Sequence, residues 1–413
     1  MNRRNGSGNA QSEAQLRGGG HWPAGMFSAK TGRIIIRNGK GDSPAMKRRS
    51  FLTATTTGMA AGLAASAVVA APAIAQSQPE IKWRMASSYP KSLDTIFGGA
   101  ELIARRVAAA TDNKFQIRTF AAGEIVPALQ VLDAVQNGTV ECGQSAAYFY
   151  IGKDPTFCFD TAMPFGLNTR QHIAWMMHGG GLELMRELFR DHNIHNIPAG
   201  NTTAQMGGWF RKEIKTVEDL SGLKMRVGGL AGQIMGKLGL VPQQIGGGDI
   251  YPALERGTID AAEFVGPYDD EKLGFHKVAK YYYSPGWWEG SAQIPLMINI
   301  TAWEQLPESY KTILEQACWE ANTWMIAKYD AVNAAALKRL VAGGAQLRAF
   351  PRDVMMACEK IANELYDELS AKNPRFKKVY EAWKPFRDEE RLWFRVAENA
   401  FDSYVYSQSA QRR

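Results

Sequence analysis

The sequence predicts an α/β protein built from two similar lobes. Three observations carry this. From Ile81 to Phe264, short β-prone runs alternate with stretches of helical periodicity, as in a mostly parallel sheet covered by helices. The alternation runs through twice, and one junction recurs in both halves. Beyond Ile300 the pattern becomes long and helical. With 413 residues, the chain can bury two separate cores.

The elements follow in order. Ile81–Ala86 reads as a strand, Thr95–Thr111 as a helix, and Phe115–Phe120 as a strand. Pro127–Asn137 reads as a helix with Pro127 in its first turn. Val140–Gln144 is strand-like, a helix follows around Gln171–Asp191, and an extended stretch spans Ile194–Thr203. The second pass gives strands at Leu223–Val227, Pro242–Ile245 and Ile259–Phe264, with helices at Ala231–Leu238 and Ile250–Arg256. Asn137-Gly138-Thr139 and Arg256-Gly257-Thr258 are the shared junction, each a helix end, a Gly-Thr stop and a new strand. Tyr281–Ile300 reads as a strand that crosses between lobes. Helices are expected at Pro307–Gly343, Arg352–Lys372 and Glu389–Ser407. The last carries Trp393, Val396, Ala397, Ala400, Phe401 and Tyr404 at helical spacing, either as core or as a surface for a second subunit.

The formal charge of +7 suggests nucleic acid, but its distribution argues otherwise. Residues 1–75 hold ten Lys/Arg and two Asp/Glu, so the remainder is close to neutral and offers no global electrostatic case for nucleic acid. Met46-Lys47-Arg48-Arg49-Ser50-Phe51-Leu52 resembles a twin-arginine export motif. An uncharged Ala54–Ala70 stretch and an Ala73-Ile74-Ala75 cleavage site follow in the order of a signal peptide. Residues 1–45 fit no such pattern and read as an upstream extension, with Met46 an alternative start. Cys142, Cys158, Cys318 and Cys358 form no C-x-x-C pair, and their spacing suits neither zinc nor a redox motif.

Several enzyme signatures are missing. The chain has no phosphate-binding G-x-x-x-x-G-K-[ST], no G-x-G-x-x-G and no G-x-S-x-G. Gly246-Gly247-Gly248-Asp249 reads as a turn in which Asp249 caps the next helix. His192 and His195 have metal-ligand spacing but no third partner. What remains is a group of polar residues at strand ends, where α/β sheets bind ligands. Arg226 ends the strand LKMRV and could grip a carboxylate, or could be a surface arginine paired to an acid. Glu263 and Glu289 stand in apolar surroundings and need a cation. With Gln205 they offer hard oxygen ligands suited to Na⁺ or Ca²⁺; the alternative is that each belongs to a separate ion pair.

The motifs Thr216–Arg226, Asp260–Pro267, Asn299–Trp303 and Leu306-Pro307 resemble the solute-binding proteins of tripartite ATP-independent periplasmic (TRAP) transporters. The resemblance implies two α/β lobes joined by strands and long helices, closing over a ligand. It divides the chain into a first lobe at 76–204, a second at 205–290, a return to the first lobe at 291–350, and C-terminal helices at 351–413. Arg226 matches the family's carboxylate-binding arginine. Glu263–Pro267 and Trp287–Gly290 are similar to the branch that binds 2-oxo or 2-hydroxy monocarboxylates with a bridging metal ion. The resemblance assigns ligand contact to Arg226, Gln205, Tyr148, Glu263 and Trp288. It assigns metal ligation to Gln205, Glu263, Glu289 and the backbone carbonyl of Phe264, a position often Trp in that branch. A membrane permease and a homodimer through the C-terminal helix are the implied partners. The competing classes are a binder of another organic acid without metal, an enzyme on the same frame, and an extracytoplasmic sensory module, for which no fused signalling domain is seen.

Replacing Arg48 and Arg49 with Lys is expected to lower the amount of protein recovered from the periplasm. Undiminished recovery after cell fractionation would remove the twin-arginine reading while leaving export by another route.

Overall fold

The computed structural model describes residues 78–411; the export motif and the cleavage site lie outside the described residues. Two mixed sheets form the frame. The first contains β1 (Ile81–Ser87), β2 (Phe115–Phe120), β3 (Cys142–Gln144), β4 (Ile194–Asn201) and β10 (Gln293–Asn299), in the order β2-β1-β3-β10-β4. The second contains β5 (Trp209–Phe210), β6 (Lys224–Arg226), β7 (Val241–Gln243), β8 (Ala261–Ala262), β9 (Tyr281–Ser284) and β11 (Gln346–Ala349), in the order β11-β9-β5-β8-β6-β7.

Each sheet is parallel apart from one strand. β10 runs antiparallel to β3 and β4, and β5 runs antiparallel to β8 and β9. These two strands are the ones delivered from the opposite lobe. A chain that enters from the cleft side meets the sheet at the carboxyl ends of its parallel strands and therefore runs against them. The expected crossing strand at Tyr281–Ile300 is thus two strands in different sheets, joined by residues 285–292. The two crossings lie side by side: Thr202 N donates to Ala292 O (3.0 Å), Gln205 N to Glu289 O (3.0 Å) and Gly286 N to Gln205 O (3.0 Å).

The repeated junction is the same structure twice. Gly138 (φ 70°) and Gly257 (φ 72°) adopt the left-handed conformation that a Cβ disfavours. Gly138 N bonds Val135 O and Thr139 N bonds Ala134 O, matching Gly257 N to Leu254 O and Thr258 N to Ala253 O.

A third connection is the helix Glu308–Ala342, whose 35 residues span about 50 Å. Tyr310, Leu314, Cys318 and Ala321 pack with Met85, Phe115 and Leu296 of the first lobe. Met325, Tyr329 and Leu340 pack in a cluster that reaches Trp209, Phe264 and Tyr282 of the second. The chain then supplies β11 to the second sheet, inside the 291–350 segment expected to return to the first lobe.

Other boundaries differ from expectation for local reasons. The expected helix around Gln171–Asp191 is two, Thr169–His178 and Gly181–Asp191, separated where Gly180 takes φ 81°. Pro127 precedes a short 3-10 turn, and the α-helix begins at Val131. Asp249 lies in the first turn of the helix Gly247–Glu255 and makes no capping bond. The expected Glu389–Ser407 helix is the end of Pro374–Val396 followed by Glu398–Gln411. All four cysteines are buried and unpaired. Among the described residues, no helix is long and apolar enough to cross a membrane.

One buried acid bears on stability. Asp160 is fully buried, accepts a hydrogen bond from Asn196 Nδ2 (3.2 Å), and burial pushes its carboxyl up to about 7. Asp160 Oδ2 and Asn196 Oδ1 have no partner, and the Gln293 and Asn196 amides, which favour the anion, do not offset the burial. A folded-state value above the unfolded one means the group favours folding most at low pH. That contribution is lost as pH rises from about 4 to about 7. Asp160→Asn should therefore be more stable than wild type at pH 8, by about 1–3 kcal/mol, with a flatter pH profile in urea unfolding. Equal destabilisation at every pH would show that the ionised form is the native one.

Candidate functional site

The carboxyl ends of the parallel strands from both lobes face one cleft. β1 runs out into Ser88 and Tyr89, β3 into Tyr148, β6 ends on Arg226, and β8 leads into Glu263 and Phe264. They surround a small cavity of about 10 Å³ whose wall includes Tyr89, Ile96 and Tyr148 from the first lobe, Arg226, Phe264 and Val265 from the second, and Thr202, Gln205 and Ala292 from the crossings. That is room for about one water molecule, so any larger ligand needs the walls to part.

Arg226 is 1% exposed and bound to Glu263, which is 0% exposed. Its Nη1 donates to Glu263 O (2.6 Å) and to Glu263 Oε1, and its Nε donates to Ile245 O at a longer 3.3 Å. Gly228 N donates to the same Glu263 Oε1 (3.0 Å). Both Nη1 protons are therefore used, and Nη2 keeps its donors. A two-point grip on a carboxylate would use Nη2 and share the long Nε bond. The guanidinium also stands 5.4 Å from the centre of the Phe264 ring.

Two glycines permit the walls to meet. A Cβ on Gly228 would lie 2.5 Å from Tyr148 Cε2, so the Tyr148 ring of the first lobe sits directly on second-lobe backbone. A Cβ on Gly247 would lie 2.7 Å from the Phe264 ring, which fixes where that aromatic can stand.

The crossings bring in the remaining oxygens. Gln205 Nε2 donates to Thr202 Oγ1 (2.9 Å), which orients the amide and leaves its oxygen free. Gln205 Oε1, Glu263 Oε2 and Glu289 Oε2 are all buried without a hydrogen-bond partner. Burial raises the Glu289 carboxyl well above the ordinary range, and the Glu263 charge pushes it further. Burial also raises Glu263, against the pull of Arg226. Tyr148 and Tyr89 are pushed well up by burial first, and the charge of Glu289 adds to both. Three unsatisfied hard oxygens, two of them on acids that burial raises, fit a cation that prefers oxygen. Among the described residues there is no cluster of three or more His, Cys, Asp or Glu, so an ion here depends on this mixed set and on backbone.

The structure places the sequence-derived residues unevenly. Tyr148, Gln205, Arg226 and Phe264 are on the cavity wall; Glu263, Trp288 and Glu289 are not. Trp288 packs against Trp287 (4.9 Å) and Phe350 (6.1 Å), and its buried Nε1 has no hydrogen-bond partner. Tyr89 and Thr202 are wall residues that the sequence reading passed over. Tyr89 follows the end of the first strand, the same rule that singled out Arg226. His192 and His195 pack on Phe157 (4.9 Å) and Trp303 (4.0 Å), away from the cavity.

Residues 86–373 match the description of bacterial extracellular solute-binding protein, family 7. The chain belongs to this family. Over 363 residues, 88% of this chain and 100% of the relative, it is 49% identical to a monocarboxylate 2-oxoacid-binding periplasmic protein of Nostoc sp.. It is 56% identical, with a TM-score of 0.80, to a TRAP transporter solute-binding protein from Bordetella bronchiseptica, covering 81% of this chain and 100% of that one. That crystal structure is a mixed-occupancy dimer with copurified calcium and picolinate in one site and an apo site in the other. A TRAP periplasmic solute-binding protein from Pseudoalteromonas atlantica with bound sodium and pyruvate is 38% identical, with a TM-score of 0.76, covering 78% and 99%. The fold of this solute-binding protein is therefore the two-lobed one of TRAP receptors.

Arg226→Ala would leave Glu263 buried without its cation. Loss of about 3–5 kcal/mol of stability is expected in thermal or urea unfolding of the ligand-free protein at pH 8. Wild-type stability in this variant would mean that Glu263 carries a proton and the ion pair does not form.

Proposed function

We propose that this protein is the extracytoplasmic receptor of a TRAP transporter for a small 2-oxo or 2-hydroxy monocarboxylate, such as pyruvate or lactate. It captures the acid without changing it chemically and delivers it to the membrane permease. The observation that carries this reading is a buried arginine and the partnerless Gln205 oxygen on the wall of one small cavity, together with partnerless buried oxygens on Glu263, which pairs with that arginine, and on Glu289, whose carboxyl Glu263 raises. The ligands named for the Nostoc, Bordetella and Pseudoalteromonas relatives support it.

The chemistry of capture follows from charge. Arg226 contributes one positive charge, the two glutamates two negative ones, and a monocarboxylate one more, leaving a surplus of two negative charges in a site closed from water. Left uncompensated, this surplus would keep an acid protonated or the lobes apart. Gln205, Glu263, Glu289 and the Phe264 carbonyl would hold Na⁺, which would neutralise half of the surplus, or Ca²⁺, which would neutralise all of it. A backbone ligand does not depend on the Phe264 ring, so a Phe where relatives often have Trp alters the wall and leaves the donor. Tyr148 closes the first-lobe side. An arginine-anchored binder of another acid without metal is the second reading; an enzyme would in addition have to turn its ligand over.

We further propose export through the twin-arginine segment at 46–75 and dimerisation through the C-terminal helices. Trp393 (59% exposed), Phe401 (67%) and Tyr404 (67%) support the latter, because aromatic side chains of this size gain by being covered.

Calorimetric titration of pyruvate tests the reading. In sodium-free buffer, chelator-treated protein should bind at least about tenfold more weakly than protein resupplied with Ca²⁺ or Na⁺. Arg226→Ala should lose roughly 30-fold or more, and Arg226→Lys less, since an ammonium cannot copy a planar fork. Unchanged affinity in metal-free protein would remove the cation and leave the metal-free binder.

A further inference from the structure

The cavity wall is buried, with Arg226 at 1% and Tyr148 at 5% exposure, so a ligand enters only if the lobes part. What holds them together away from the ligand is then a separate question. One carboxylate outside the cavity touches both lobes and the long bridging helix. Asp94 lies just before the first-lobe helix Ile96–Ala110, two residues from the wall residue Ile96. Lys272, in the last turn of the second-lobe helix Pro267–Leu273, forms an ion pair with Asp94 and donates to Ser92 O (3.2 Å). From the same helix, Tyr268 Oη donates to Asp94 Oδ2 (3.2 Å). Lys328 of the bridging helix donates to both Asp94 O (2.8 Å) and Asp94 Oδ2 (3.1 Å).

We infer that Asp94 is an electrostatic tie that holds the two lobes closed, acting on ligand retention without touching ligand or metal. The tie is built for release. Asp94 is half exposed, and Lys272 and Lys328 are 27% and 23% exposed, so water and salt weaken each bond and the contact can break and reform. Its position gives it leverage: Ile96 on one side and Val265, just before the Pro267–Leu273 helix, on the other both line the cavity. Burial alone would raise the Asp94 carboxyl, and the bonds from Lys272 and Lys328 bring it below its ordinary value, in accord with an anion held by both lysines. The inference rests on the reading that the lobes open and close around a ligand.

The test uses Asp94→Asn, with Glu320→Gln as control. Glu320 pairs with Arg106, joining the bridging helix to the first lobe alone at comparable exposure. Pyruvate dissociation from calcium-loaded protein should be roughly 3- to 10-fold faster in Asp94→Asn and unchanged in Glu320→Gln. Choline chloride, which supplies no competing sodium, should speed dissociation from wild type and not from Asp94→Asn. Amide hydrogen exchange of the ligand-free protein should rise in residues 88–95 and in Pro267–Leu273 together. In a Lys272→Met background, Asp94→Asn should add only the smaller part carried by Tyr268 and Lys328. Exchange that rises only around Asp94, unchanged dissociation, or a full effect retained in Lys272→Met would each overturn the interlobe tie. If wild type does not bind pyruvate, the ligand reading fails, and the exchange result alone decides the tie.

Discussion

A carboxylate taken out of water must find a proton or a positive partner, and this cleft buries two of them close enough for one to raise the other. Arg226 answers for Glu263, but it is a single charge and its Nη1 is fully committed. Glu289 is left in an unfavourable state that a cation or a proton relieves. The rest of the site can be read from that imbalance. The amide of Gln205 is turned so that its oxygen points away from its own bond to Thr202. Gly228 places a backbone N–H on Glu263 where a side chain would collide with Tyr148. A site unsatisfied in this way gains most from binding a cation and an anion together, which links the two binding events energetically.

The crossing strands serve this electrostatics directly. Gln205 and Glu289 come from different crossings, one leaving each lobe, and are joined through backbone hydrogen bonds. Their polar groups therefore sit at the junction and not within either lobe. Arg226 ends, and Glu263 follows, neighbouring parallel strands of the second sheet, and Tyr148 lies in the 3-10 turn Ala147–Tyr150 after β3 of the first. Relative motion of the lobes would carry Tyr148 and Arg226 apart while the pair of crossings stays together. Ligand affinity and lobe position are thus one equilibrium, and contacts remote from the ligand, such as those of Asp94, can bias it.

Local pattern alone determined much of this protein. Alternating strands and helices, the twice-used Gly-Thr junction and the strand-end position of Arg226 are short-range facts. They follow from side-chain periodicity and from the φ that only glycine takes readily. The long helices at Glu308–Ala342 and Arg352–Lys372 were legible to within a residue for the same reason. Tertiary structure decided what periodicity cannot encode. Tyr281–Ile300 looks like one strand because both of its halves are apolar, yet they belong to different sheets. β11 is a short polar segment whose only reason to be a strand is the edge of β9 beside it. Above all, residues far apart in sequence, Tyr148, Gln205, Arg226, Glu263 and Glu289, become one charged environment only when the crossings close the chain on itself. Sequence supplied their chemistry; burial, which raises the acids and leaves three oxygens unpartnered, is a property of the packed fold.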